Sequence, residues 1–396
     1  MLPSAILPVL ILSEVSVYQF IDSQQDLADF IETIRPHKWI AIDTEFIREK
    51  TYYPQLCLIQ VAAGEHMACI DPIAITDLSA LYDVLYDQNI TKVFHAAQQD
   101  LEILYYAGGQ VPSPIFDTQP AASVLGIGEQ IGYAGLVEHT LGVTLPKTAS
   151  RTDWSKRPLS QSQLDYAIDD VRYLQQMYPL LLQKLAESGR TTWPSRDFKR
   201  LTNPDTYQLN ARSRWKKVRG LQNLNRQQLS ILRELAAWRE EEAARCNRPR
   251  RWIIGDEILV DLARLQPSDV AGMQAIRGVN ADQAKRYFVA WTACIEAGRN
   301  APESEWPEMK RRQKPTPEVD ALAEYLMLVI RLQAEKQGVS PAAIANKSQV
   351  VKMIQEGRNS LSEDWRGELV NDVIADVRAQ KLVLGIADGK VQLLPR

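Results

Sequence analysis

The chain has 396 residues, with 46 Lys and Arg against 49 Asp and Glu and a formal net charge of −3. At 45% hydrophobic and 24% charged residues it can bury sizeable cores, two to four domains at roughly 100–200 residues each, and global disorder is excluded. Four cysteines (Cys57, Cys69, Cys246, Cys294) form no CxxC pair and four histidines are isolated, which excludes a zinc ribbon or a disulfide framework and fits a reducing, cytoplasmic setting. The first 12 residues, MLPSAILPVLIL, are apolar. They are too short to span a bilayer and no basic residue precedes Arg35, so residues 1–16 are expected to be a disordered tail rather than a membrane helix or a secretory signal.

Residues 17–35 pass from an apolar stretch into a helix start at Asp22-Ser-Gln-Gln-Asp-Leu. Short apolar strands are predicted at 38–43 (KWIAID), 55–63 (QLCLIQVAA) and 67–71 (MACID), with Cys57 and Cys69 as core residues. Helix and strand then alternate: a helix at 78–87, a strand at 91–95, a helix at 97–107, a strand at 115–117 and a helix at 118–125. This order implies an α/β domain with a mixed sheet. From about residue 130 onward the pattern is almost wholly helical, and Leu164, Ala167, Ile168, Val171, Leu174, Met177 and Leu181 recur near the helical period. The stretch 190–220 is basic and broken by Pro194 and Pro204, and it reads as a linker; residues 299–317, with four prolines and Lys310-Arg311-Arg312, read as a second. The two helical blocks around the second linker, 221–298 and 318–396, are of similar length and suggest a duplicated module.

Charge follows the same division. Residues 1–189 carry 11 basic and 23 acidic side chains, whereas residues 190–251 carry 16 and 6. The positive excess gathers at Lys199-Arg200, at RSRWKKVR from Arg212 to Arg219 and at RCNRPRR from Arg245 to Arg251, with Trp215 and Trp252 among them. Basic side chains neutralise phosphates and aromatic ones stack on unpaired bases, so Lys216, Lys217, Arg250 and Arg251 are candidate RNA contacts. The alternative is that this basic block pairs with the acidic N-terminal domain.

The acidic half holds three groups of interest. Asp43 and Glu45, in Ile42-Asp43-Thr44-Glu45-Phe46, share a strand face at the end of the first strand, where α/β sheets place ligands. Asp100 lies in the first turn of a helix after Phe94-His95-Ala96-Ala97. Tyr166 and Asp170, four apart on a helix, stand side by side, while Asp169 is turned about 100° away. Each group alone suits a structural role as well, and His95 suits a hydrogen-bonded structural residue. Asp117-Thr-Gln suits a helix cap. Thr51-Tyr52-Tyr53 suits a turn with packing aromatics. Lys147 and Arg151-Thr-Asp153-Trp154 suit either a loop anchor or a phosphate contact.

Together the three groups resemble the DEDD exonuclease superfamily, and the Tyr-x3-Asp spacing resembles its DEDDy subclass. The wording of DTEFIREKTYYPQLCLIQVA, FHAAQQDLEIL, FDTQ and SRTDWSKRPLSQSQLDYAIDDVRYL is similar to the bacterial ribonuclease D family over residues 35–190. The block from Leu221 resembles the HRDC modules that follow the nuclease there, through LSILRELAAWREEEAARCNRP and IIGDEILVDLARLQP, and 318–396 resembles them more weakly. The resemblance implies a ribonuclease H-like (DnaQ-like) exonuclease domain over 17–205, a basic linker 206–220, and two all-α HRDC-like domains at 221–298 and 318–396, separated by 299–317.

Four carboxylates in one pocket need counter-ions, and hard oxygen ligands suit two Mg²⁺ or Mn²⁺ ions. By family resemblance Asp43 bridges them, Glu45 and Asp170 complete the position beside the attacking water, Asp100 supports the second ion and Tyr166 orients the water. The implied product is a 5′-mononucleotide released from a 3′ end, with tRNA precursors and other structured RNAs as substrates, acting as a monomer. A DNA 3′ exonuclease remains open, since nothing in the carboxylate motifs tells ribose from deoxyribose. A non-catalytic nucleic-acid binder would require a lost carboxylate, and all four positions are filled. No GxxxxGK[ST] phosphate loop occurs, which excludes a helicase; no nucleotide cofactor is expected.

Overall fold

The computed structural model describes residues 18–146, 152–309 and 314–396. The tail 1–16, Lys147, Arg151 and the run Lys310-Arg311-Arg312 lie outside them. The chain forms two compact units. One ends at Phe46, resumes over Leu56–Thr206 and again over Pro315–Arg396; the other joins Ile47–Gln55 to Tyr207–Lys314.

The first unit holds a six-stranded mixed sheet in the order β1-β4-β3-β2-β5-β6. Its strands are β1 (Gln19–Ile21), β2 (Trp39–Ile47), β3 (Gln55–Ala63), β4 (His66–Ile70), β5 (Thr91–Phe94) and β6 (Ile115–Asp117). β2, β5 and β6 run parallel, with Ala41 opposite Val93 and Phe94 opposite Asp117, while β3 and β4 are antiparallel. β3 is buried from Cys57 to Ala63, as its continuous apolar run requires. β2 runs on to Ile47, past the predicted end at residue 43, so Asp43 and Glu45 lie inside the strand and the alternation of facing continues through both.

Helices α1 (Gln24–Ile34), α2 (Ser79–Tyr86), α3 (Gln98–Gly108), α4 (Thr118–Val124) and α5 (Tyr133–Leu141) connect and flank the strands. α6 (Gln161–Glu187) is the longest, opened by a capping box between Ser160 and Gln163, and it buries Ala167, Ile168, Val171, Leu174, Met177 and Leu181 on the predicted stripe. After it comes α7 (Ser195–Leu201).

The second unit is built on α8 (Arg226–Arg245), α9 (Arg250–Ile253), α10 (Asp256–Leu265), α11 (Val270–Gln274) and α12 (Ala281–Asn300). α8 and α12 approach so closely at Gly298 that a Cβ there would lie 2.4 Å from the Ile231 Cα. The predicted linker 206–220 is no free tether. Its turn Ala211–Lys217 is a 3-10 helix, and Trp215 and Val218 are buried in the same core as Leu235, Leu259 and Trp291. Two apolar anchors three residues apart are enough to dock such a turn, and they are too short a pattern for helical periodicity to reveal.

The C-terminal block belongs to the first unit. It comprises α13 (Pro317–Gln337), α14 (Pro341–Ile344), α15 (Lys347–Gln355), α16 (Trp365–Arg378) and a hairpin of β7 (Leu382–Ala387) with β8 (Lys390–Pro395). The expectation of an all-α block to residue 396 is therefore corrected at the hairpin. Its turn, Asp388-Gly389, has φ of 53° and 72°, the left-handed pair that a two-residue hairpin turn requires. Trp365 stacks on Trp193 with ring centroids 4.4 Å apart, and the Trp365 Nε1 donates to the Trp193 carbonyl at 2.9 Å. Arg366 pairs with Asp197 at 2.8 Å. Among the described residues no helix is long and apolar enough to cross a membrane.

Candidate active site

β2 presents Asp43 and Glu45 toward α6, which supplies Asp170. One carboxylate oxygen from each of the three lies within 4.8 Å of the others, and all three residues are half-buried. Asp100, buried in the first turn of α3, accepts a 2.5 Å hydrogen bond from the Thr44 hydroxyl, so the residue between the two strand acids holds the second motif to the first. Among the described residues no ion pair reaches any of the four carboxylates.

Burial and mutual repulsion therefore act unopposed by a cation. Burial and then the Asp170 and Asp100 charges push Glu45 up to about 8. Asp170 is pushed up to about 7 by burial, Asp169 and Asp100. Asp100 reaches about 7 through burial, despite the bond from Thr44. Asp43, adjoining all three, is raised well above the usual carboxylate range, by burial first and then by Asp100, Asp170 and Glu45. A cluster of oxygen ligands that resists ionising alone fits divalent cations, whose charge would restore all four carboxylates.

Tyr166 sits one turn before Asp170 on α6. Burial, followed by the charges of Asp170, Glu45 and Asp43, raises its phenol, so it stays protonated at neutral pH. Its ring centroid is 6.2 Å from that of Trp154, which is buried. Tyr166 and Asp170 line a cavity of about 410 Å³ with Tyr133, Ser162 and Asp165. Asp169 pairs with Arg172 and also lines this cavity.

Several supporting residues carry more than their sequence signal. Asp117 caps α4 through the Gln119 N–H, as expected, and its carboxylate also accepts from the Ala96 and Ala97 N–H groups at 2.9 Å. That one buried acid fixes the β5–α3 turn, where Ala96 has a φ of 56°, and so fixes Asp100. Tyr133 donates from its hydroxyl to the Asp169 and Asp170 carbonyls at 2.8 and 2.5 Å. Neither link joins residues near in sequence, so no local pattern reveals them. His95 is structural: its Nδ1 is 2.9 Å from the Thr118 hydroxyl, and burial pushes it down to about 4.

The basic block divides sharply in the structure. Arg214 and Arg250 both pair with the buried Glu240, at 3.1 and 3.2 Å. Arg239 pairs with Asp256, Arg212 and Arg233 with Glu234, and Arg245 with Glu242. Of the four candidate RNA contacts, Lys216, Lys217 and Arg251 are exposed, and Arg250 is exposed but engaged by Glu240. Trp215 is a core residue and cannot stack on a base, whereas Trp252 is 59% exposed. The Tyr52-Tyr53 pair packs edge to face in a turn, with both N–H groups on Asn247 and the Tyr52 hydroxyl on Glu240 at 2.6 Å.

Comparison with known proteins agrees with this geometry. A 3′–5′ exonuclease family model matches residues 18–186, and an HRDC domain model matches residues 228–295. A ribonuclease D of Bartonella henselae is 36% identical over 94% of this chain and 93% of its own length. One from Sphingobium indicum is 37% identical over 95% and 98%. The crystal structure of Escherichia coli RNase D, described as an exoribonuclease involved in structured RNA processing, is 32% identical, with a TM-score of 0.77 over 92% of this chain and 99% of that one.

Proposed function

Because the chain belongs to the ribonuclease D family and is a 3′–5′ exoribonuclease, we propose that Asp43, Glu45, Asp100 and Asp170 hold two divalent ions, Mg²⁺ or Mn²⁺, at the site of phosphodiester hydrolysis. The observation that carries this is the convergence of Asp43, Glu45 and Asp170 oxygens within 4.8 Å, with no cationic side chain among the described residues paired to them. Such ions, when bound, acidify a coordinated water and stabilise the leaving 3′ oxygen. Asp43 would be a ligand shared by both ions, Glu45 and Asp170 would hold the ion beside the attacking water, and Asp100, steadied by Thr44, would support the other. Tyr166 keeps its proton and directs the water through its hydroxyl. A protonated phenol is an orienting group and not the base. The product is a 5′-mononucleotide.

Structured RNAs, tRNA precursors above all, are the proposed substrates, for a monomeric cytoplasmic enzyme. Lys216, Lys217 and Arg251, with a smaller contribution from Arg250, contact RNA phosphates beside the exposed Trp252. The nuclease spans 17–205 and is followed by 206–220, by an HRDC-like domain at 221–298, by 299–317 and by a second HRDC-like domain at 318–396. A backbone parallel supports the duplication. In each block a four-residue helix, α9 or α14, starts six residues before the next helix. Each is closed by a buried extended residue whose N–H bonds back four residues: Ile254 at φ −156°, ψ 152°, and Ala345 at φ −160°, ψ 156°.

The test is direct. Pure protein and Asp43→Asn are incubated with a 3′-extended tRNA precursor and a matched DNA strand, with Mg²⁺, with Mn²⁺ or with a chelator. We expect stepwise shortening of the RNA alone, only with metal, and a loss of at least about 10³-fold in Asp43→Asn. Wild-type turnover by that variant overturns the site, and equal shortening of DNA overturns the substrate.

A further inference from the structure

Arg157 lies in the loop before α6, outside the acidic cluster, and all five of its N–H donors are engaged. Its Nε and one Nη2 hydrogen form a fork on the two Asp71 carboxylate oxygens, at 2.6 and 2.7 Å. The second Nη2 hydrogen goes to the Cys57 carbonyl of β3 at 2.7 Å. Nη1 donates to the Trp154 and Lys156 carbonyls, at 2.8 and 2.9 Å. A guanidinium has five donors and no more, so this one is saturated by protein and has none left for a substrate phosphate. Asp71, almost wholly buried, is itself anchored: its N–H binds the Ile21 carbonyl at 2.8 Å, and its carboxylate accepts from the Ile73 N–H at 2.9 Å.

One side of this fork is therefore the rigid sheet, through β1, β3 and the end of β4. The other side is the loop that carries Trp154, whose ring packs against Tyr166. Three residues after Arg157, Ser160 caps α6, the helix that bears Tyr166 and Asp170. We propose that Arg157, fixed by Asp71, is a positioning residue for hydrolysis: it sets the Trp154 loop and the start of α6 so that the Tyr166 hydroxyl meets the attacking water. Lysine cannot replace it, because a single ammonium offers three donors from one point and cannot reach five acceptors lying on two sides. The inference rests on Tyr166 acting as the orienting residue.

The experiment is a double-mutant cycle on the full chain, with single-turnover RNA hydrolysis as the readout and thermal melting as the check on folding. Arg157→Lys is expected to lower the rate by roughly 10- to 100-fold. In a Tyr166→Phe background the same substitution is expected to change the rate by less than about two-fold, because the group it positions is gone. Asp71→Asn, which weakens the fork and spares the carbonyl bonds, gives the same pattern at smaller size and replaces Arg157→Lys if that variant does not fold. An unchanged rate in Arg157→Lys, or an equal loss in both backgrounds, overturns the proposal. A wild-type rate in Tyr166→Phe alone instead overturns the orienting role on which it rests.

Discussion

The nuclease site and the basic face of the helical unit treat charge in opposite ways. At the site, four carboxylates are gathered with no cation paired to them among the described residues; burial and mutual repulsion push Glu45 up to about 8 and Asp100 and Asp170 up to about 7, and raise Asp43 as well. In the helical unit, acids are matched as they are buried: Glu240 is 1% exposed and holds Arg214, Arg250 and the Tyr52 hydroxyl. Matched charge is committed to the fold, since removing one partner strands the others. Unmatched charge is held ready for something that is not protein. The same contrast separates the basic residues. Arg212, Arg214, Arg233, Arg239 and Arg245 are spent internally, and Lys216, Lys217 and Arg251 project outward.

The contrast can be broken at several points. Tyr166→Phe should cut turnover by about 10- to 100-fold and leave Mn²⁺ affinity unchanged. Unaltered turnover, measured under single-turnover conditions, would remove the phenol from the chemistry. Glu240→Ala, by contrast, should destabilise the helical unit by about 3 kcal/mol or more, because it leaves two guanidinium groups and a phenol without their acceptor. A denaturant midpoint equal to wild type would show that this matched set contributes nothing. The smallest effect belongs to the exposed cations. Lys216→Ala with Lys217→Ala should lower the salt slope of RNA binding by up to ~0.7–0.9 per lost phosphate contact. An identical slope would assign both lysines to the surface alone.

Much of the site was legible because its parts are local. Asp43 and Glu45 declare a shared face by alternation, Tyr166 and Asp170 by helical spacing, and the resemblance joined them to Asp100. The braces were hidden because they join distant positions: Thr44 to Asp100, Asp117 to the β5–α3 turn, Tyr133 to the backbone of α6, and Arg157 to Asp71. Two readings failed for a different reason. The stretch 190–220 read as a linker because its prolines, Pro194 and Pro204, and its basic composition outweighed two apolar anchors, Trp215 and Val218, that join a core. The C-terminal hairpin was masked by the long helical pattern before it, although LVLGIA and KVQLLP about Asp388-Gly389 carry a strand–turn–strand signal. The partition of the basic block was beyond reach of composition, which counts charges but not their partners.

The unmatched state of the site is tested most directly by the melting temperature of metal-free protein as a function of pH. With Glu45 raised to about 8 and Asp100 and Asp170 to about 7, the folded chain binds more protons than the unfolded chain between about pH 4 and 8. The stability that these three groups contribute should be full below that window and be lost as pH rises through it. Mg²⁺ or Mn²⁺ added at pH 8 should recover at least about 3 °C, and Asp43→Asn should show a flatter pH profile and little recovery. A metal-free protein that gains stability from pH 5 to 8, or one that metal leaves unchanged at pH 8, would contradict a site built from charge left for divalent ions.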